Sequence, residues 1–137
     1  MSIERTFAII KPDAIAGGHT GEIIKIIELN GFSIVRMEKK SLTRQEAESF
    51  YGVHKGKPFF LELVHYITSG PVVVMALERE NAIQEWRNLM GATDPIKATV
   101  GSLRKMFGKH IGSNVTHGSD ASETAAQELK FFFSDLK

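Results

Sequence analysis

The run Pro71-Val72-Val73-Val74-Met75-Ala76-Leu77 constrains the fold of this chain more than any other stretch. An extended backbone through it is apolar on both sides, which marks a central strand. Pro71 is tolerated as the first residue, where no ladder N–H is needed. The run is too short to cross a bilayer. Ile3 to Ile10 alternates as a second strand, with Phe7 and Ile9 on one side and Ala8 and Ile10 on the other. Phe32 to Lys40 reads as a third. Val115 and Thr116, both β-branched, favour an extended backbone ahead of His117.

Helical signals fall between these strands. Thr20 caps a helix running to Asn30, with Ile23, Ile24 and Ile27 as its buried stripe and Gly31 as its stop. Thr43 and Glu46 make a capping box, with a staple from Leu42 to Ala47, on a helix that carries Phe50 and Tyr51. Pro58 suits the first turn of the next helix, whose stripe is Phe60, Leu63, Val64 and Ile67. Asn81 caps a helix holding Ile83, Trp86, Leu89 and Met90, and Gly91 stops it. Ser102 to Phe107 makes a short helix carrying Arg104. Ala121, Ala125, Leu129 and Phe132 then recur at helical spacing, with Ser119 or Asp120 as the cap. The order β-α-β-α-α-β-α-loop-β-α predicts an α+β sandwich: a four-stranded antiparallel sheet with helices on one face. A chain of 137 residues suggests one domain, 1–137.

Composition removes several function classes. Seventeen basic and 16 acidic residues leave a formal net charge of +1, so nothing supports a dedicated nucleic-acid binder. There is no cysteine, hence no disulfide framework and no thiolate metal site. The N-terminal region carries Glu4 and Arg5 early and shows no secretory apolar core, so Asn114-Val115-Thr116 is read as a chance match to a glycosylation sequon. The expectation is a soluble cytoplasmic protein with no membrane attachment.

The stretch from Asn114 to Asp120 carries the chemistry. Gly118 allows a sharp bend, which places His117 at the end of a short strand beside a helix N-terminus, a setting that suits a phosphate. A histidine there can take a phosphoryl group on a ring nitrogen, or it can merely fill a turn. Lys11 projects from a strand end, as a phosphate-binding ammonium or as a solvated lysine. Phe59 sits at the rim of its helical stripe, as core edge or as a stacking platform. Glu128, one to two turns into the last helix, is a solvated residue or the partner that fixes the histidine tautomer. Residues 91–113 hold no long periodic element and are framed by Arg87, Thr93, Asn114 and His117; such segments are often functional. Two glycine-rich stretches, 17–21 and 52–57, lack the lysine placement and spacing of a phosphate-binding P-loop.

Asn114-x-x-His117-Gly118-Ser119-Asp120 resembles the active-site signature of nucleoside diphosphate kinases. Ile9-Ile10-Lys11-Pro12-Asp13-Ala14, Gly21-Glu22-Ile23-Ile24, Pro58-Phe59-Phe60, Ser69-Gly70-Pro71-Val72-Val73 and Gly91-Ala92-Thr93-Asp94-Pro95 resemble the same family, in the family's order, from about Glu4 to Phe132. The resemblance implies a ferredoxin-like βαββαβ sandwich with a long nucleotide-binding loop over about 91–113. It implies transfer of the γ-phosphate of a nucleoside triphosphate, mainly ATP, to a (deoxy)nucleoside diphosphate. His117 would be the phosphorylated intermediate, held by Glu128 with help from Ser119 and crowded by Tyr51. Lys11, Arg87, Thr93 and Arg104 would bind phosphates, Phe59 would stack the base, and Asn114 would touch the ribose and phosphate region. Mg2+ would ride on the phosphate oxygens with few protein ligands and Asp120 at most an indirect neighbour.

One region departs from the family pattern. Ala98-Thr99-Val100-Gly101-Ser102-Leu103-Arg104-Lys105 keeps the arginine but has Val100 where the family commonly has proline, next to a subunit contact. The short bacterial members form tetramers or hexamers built from a common dimer, and Phe131-Phe132-Phe133 suggests burial by a neighbouring subunit. The rival reading is a ferredoxin-like module that binds nucleotide or single-stranded nucleic acid without turnover. Such a binder has no need of a nucleophile.

Overall fold

The computed structural model describes residues 3–109 and 114–136. In chain order it contains β1 (Ile3–Ile10), α1 (Pro12–Ala16), α2 (Thr20–Leu29), β2 (Ser33–Lys40), α3 (Arg44–Phe50) and a 3-10 turn (Gly52–His54). Then follow α4 (Phe60–Ile67), β3 (Val72–Glu80), α5 (Ala82–Met90), α6 (Leu103–Phe107), β4 (Thr116–Gly118) and α7 (Ser122–Phe132). The strands form one antiparallel sheet in the order β2-β3-β1-β4. The apolar run at 71–77 is the central strand that its composition requires. Of the expected loop over 91–113, residues 110–113 lie outside those described.

Helices cover both faces of the sheet, not one. Ala8, Ile10, Val73, Met75 and Leu77 pack with Ile23 and Ile27 of α2 and with Trp86 and Met90 of α5. Phe7, Ile9, Val72, Val74 and Ala76 pack with Ala47 of α3, with Phe60, Val64 and Ile67 of α4, and with Phe133. The cause is the period of 2 in an extended chain. A strand apolar at every position needs cover on each side. Two cores follow, with the alternation in β1 sorting Phe7 and Ile9 from Ala8 and Ile10.

Several helix ends differ from expectation. Thr20 is the first residue of α2, flanked by His19 with no side-chain cap. Pro58 lies ahead of α4, because Lys57 N–H and Phe60 N–H close successive turns onto His54 and Lys57 carbonyls. Asn81 takes φ +55° and caps nothing; the first turn of α5 is capped by Glu4, whose carboxylate accepts from Ile83 N–H at 2.9 Å. Neither Ser119 nor Asp120 caps α7, which Ala121 precedes. The capping box of α3 does form: Thr43 Oγ1 accepts from Glu46 N–H, and Glu46 accepts from Thr43 N–H.

The C-terminal phenylalanines are largely covered by their own chain. Phe133 is buried, and Phe132 stacks on Phe7 with centroids 4.9 Å apart. Only Phe131 is exposed among the three. Among the described residues no helix is long and apolar enough to cross a membrane.

Candidate active site

Strand β4 pairs with the end of β1, so that Ile9 faces His117 across the ladder. His117 is therefore the middle residue of a three-residue strand, not its end. Gly118 is not a bend either: it is paired with Ala8 inside β4. Its lack of a side chain is required because a Cβ there would stand 2.5 Å from the Trp86 ring and 2.6 Å from Met90. That close approach lets the Trp86 indole N–H donate to the His117 carbonyl at 3.1 Å, tying β4 to α5.

The bend falls at Val115, against the expectation from its β-branched side chain. Val115 has φ +79°, and Thr116 N–H bonds back to the Asn114 carbonyl at 2.9 Å, closing a three-residue turn. A buried valine in that region is strained and persists only where its surroundings over-determine it. Here Val115 N–H donates to Asp13 Oδ2 at 3.2 Å, and its carbonyl accepts from Lys11 N–H at 2.7 Å. Asp13 is held in turn by the Tyr66 hydroxyl, which donates to Oδ1. The turn swings the chain from the Lys11 region into β4.

On the imidazole, Nε2 lies 3.1 and 3.2 Å from the two oxygens of Glu128. Ser119 Oγ donates to Glu128 Oε1 at 2.7 Å and accepts from Phe7 N–H at 3.4 Å. An ionised carboxylate can only accept, so the proton of a neutral His117 sits on Nε2. Nδ1 then keeps its lone pair. The Glu128 side chain is 14 % exposed and that of His117 is 22 %, so the pair is shielded while the histidine still reaches solvent.

His117 lines a cleft of about 260 Å³ with Arg87, Thr93, Arg104 and Asp120. Helix α7 contributes no lining residue, so the expected helix N-terminus is not what faces an incoming anion. The positive charge comes from side chains. Arg104 is 8 % exposed and donates to the carbonyls of Asn114, Gly91 and Thr116 at 3.2, 3.1 and 2.9 Å. Burial, then the neighbouring charge of Arg87, lowers its pKa to about 10. Lys11 donates to Asn114 Oδ1 at 2.9 Å, and Asn114 Nδ2 donates to the Thr93 carbonyl at 3.1 Å. Burial lowers the Lys11 pKa to about 8, Arg104 adds to the effect, and Asp13 opposes it. Arg87 meets Asp120 at 2.8 Å with both side chains exposed, a pair that costs little to open.

The structure thus brings His117, Glu128, Ser119, Lys11, Asn114, Arg87, Thr93 and Arg104 into one connected region. Tyr51 is buried, and burial followed by the Glu128 charge raises its pKa to about 12. The rings against His117 are Phe50 and Phe7, with centroids 5.1 and 6.1 Å away. Phe59 is 42 % exposed, lies edge-on to His54 at 5.2 Å, and is outside the lining of the cleft. Sequence reasoning missed Phe50, Asp13, Tyr66 and Trp86. None lies at a spacing that links it to His117, and only three-dimensional contact could reveal them.

A ferredoxin-like sandwich carrying a shielded histidine in a basic cleft defines a class: an α+β protein equipped to hold phosphate against an imidazole. The family model for nucleoside diphosphate kinase matches residues 4–137. The chain is 54 % identical over 135 residues to a nucleoside diphosphate kinase of Desulfotalea psychrophila, covering 98 % of each chain. It is 56 % identical over 134 residues to one of Bradyrhizobium diazoefficiens, covering 98 % of this chain and 96 % of that one. The solved nucleoside diphosphate kinase of Aquifex aeolicus superposes with a TM-score of 0.95 at 41 % identity, covering 98 % of this chain and 97 % of that one. That of Halobacterium salinarum, solved in complex with CDP, gives 0.94 at 38 % identity, covering 98 % and 90 %. The chain belongs to the nucleoside diphosphate kinase family. It is accordingly a kinase that acts on nucleotides, and the reading as a binding module without turnover is not favoured.

Proposed function

We propose that His117 Nδ1 carries the phosphoryl group between two nucleotides that use the cleft in turn. The observation that carries this reading is the bond from His117 Nε2 to Glu128, which leaves Nδ1 as the nucleophilic lone pair. A nucleoside triphosphate, mainly ATP, gives its γ-phosphoryl group to Nδ1 and leaves as the diphosphate. A (deoxy)nucleoside diphosphate then enters and its terminal oxygen collects the group. Positive charge develops on the ring as the N–P bond forms, and Glu128, oriented by Ser119, stabilises it. Lys11, Arg87 and Arg104 offset the phosphate charge, and such positioning plus charge stabilisation is most of what phosphoryl transfer needs. Thr93 and Asn114 fix the chain of donors beside Lys11. Tyr51 backs Glu128. Phe59, half exposed, would offer its ring to any base, since stacking accepts every base.

The donor set fits Mg2+ that arrives on the nucleotide. Among the described residues no group of three or more histidines and carboxylates could hold an ion, and the one carboxylate lining the cleft, Asp120, is engaged by Arg87. Mg2+ would supply charge neutralisation on the phosphates, and Asp120 would be the carboxylate of the cleft available to it. We place the enzyme in the cytoplasm as a single-domain subunit of a homo-oligomer, a tetramer or hexamer built from dimers. The lack of a basic excess supports no dedicated nucleic-acid role.

The deciding measurement is the mass of the protein after brief exposure to ATP and Mg2+. A gain of one phosphoryl group, acid-labile and base-stable and removed by a chase of GDP, is expected. The His117→Ala variant should melt like the parent, take no label and transfer nothing. Phosphate exchange by that variant would overturn the assignment.

A further inference from the structure

Phe50 ends α3, and its ring meets the His117 imidazole edge-on at 5.1 Å and 71°. It is gripped by Phe7 at 5.9 Å, Tyr51 at 5.1 Å and Phe132 at 5.4 Å. The capping box at Thr43 and the buried Leu42 and Ala47 hold the helix that delivers it. Phe7 flanks the same imidazole at 6.1 Å and 60°. Phe50 and Glu128 also line a second cavity of about 370 Å³, whereas Phe50 is outside the lining of the cleft that holds His117.

We propose that Phe50 is a positioning residue for the reaction: its edge, nearer than the Phe7 ring, sets the plane of the His117 ring so that Nδ1 faces the cleft. The inference rests on His117 as the phosphoryl carrier. An edge-to-face pair restrains the tilt of the ring, which the two-oxygen contact with Glu128 leaves free to rotate about the Nε2 bond.

Phe50→Ala and Phe50→Leu separate the aromatic edge from bulk. Each is checked for folding by circular dichroism, then assayed for kcat and for KM of both nucleotides. Misplacing a reacting group by about 1 Å costs up to about a hundredfold in rate, so Phe50→Ala should lose kcat by about tenfold or more while KM stays within about twofold. Phe50→Leu, which keeps the bulk but not the edge, should lose kcat as well. Parental kcat in either variant overturns the proposal. If Phe50→Ala does not fold, kcat of Phe50→Leu decides alone. A parent protein that takes up no phosphate would instead sink the histidine reading.

Discussion

At the scale of single residues, the site works by unequal partnership. His117 has one nitrogen bonded to Glu128, and no described residue bonds the other. Lys11 is cationic by a narrow margin, because burial and Arg104 push its pKa down to about 8. The sign of the consequence follows directly. Between that value and the ordinary lysine value of 10.5 the folded protein binds fewer protons at Lys11 than the unfolded chain does. Folding stability from this group therefore rises with pH across that window, and below it the cost of burying the charge is fully present. A bound triphosphate reverses the bias by favouring the ammonium. Nucleotide binding above about pH 8 should thus take up a proton. Calorimetry in buffers of different ionisation enthalpy reads this directly; the Lys11→Met variant should show none of that uptake and should bind nucleotide more weakly. Lys11 as a candidate was visible in the sequence from its place after an alternating strand. Its altered basicity was not, because it depends first on burial and then on Arg104, ninety-three positions away in the chain.

At the scale of elements, β4 is only three residues long, yet it carries the proposed nucleophile, so its position depends on what clamps it. Arg104 of α6 ties the carbonyls of Asn114 and Thr116, and Trp86 of α5 ties that of His117. Gly118 is the price of the second clamp. A methyl group there meets Trp86 Cδ1 at 2.5 Å, inside van der Waals contact. Overpacking of this kind typically costs about 1–3 kcal/mol, so Gly118→Ala should lower stability by that amount in urea denaturation. Because the strain falls on the indole bonded to His117, kcat should fall as well, with nucleotide affinity largely kept. Parental kcat in a well-folded Gly118→Ala enzyme would show that the clamp does not position the histidine. The elements themselves were readable wherever local chemistry decided them, as in the Thr43–Glu46 box and the Ser102 cap of α6. They were misread at α5 because its cap, Glu4, comes from a strand seventy-nine residues earlier.

At the scale of the whole molecule, the sheet is a rigid floor with helices on both faces, and the site lies at the edge made by β1 and β4. The departure at Val100 belongs here, since the expectation it raised was about assembly. Ser102 N–H bonds to the Thr99 carbonyl at 3.1 Å, with Gly101 at φ +90°. That is the signature of a type II turn, with Val100 at the position where proline is favoured. Gly101 keeps the turn in place without the proline, and Val100 is left 93 % exposed. Val100→Pro should therefore stabilise the protein by about 0.4–1 kcal/mol, chiefly by restricting the unfolded chain. Thermal melts at two protein concentrations check it: a shift equal at both is the loop alone, whereas a larger shift at the higher concentration means that the turn also supports subunit contact. A fall in melting temperature would contradict the turn assignment.

The residues alone determined the central strand, the segregation of two apolar sets in β1 and the family. Each of these rests on local spacing or on motifs that occur in order. Only the tertiary structure decided that both faces of the sheet are covered, that the chain bends at Val115 and not at Gly118, and that Phe50 and Phe7 flank His117. Those outcomes depend on contacts between residues far apart in sequence. A strained φ is stable only because Asp13 and Lys11 hold it, and a glycine is needed only because a tryptophan from another helix fills its space.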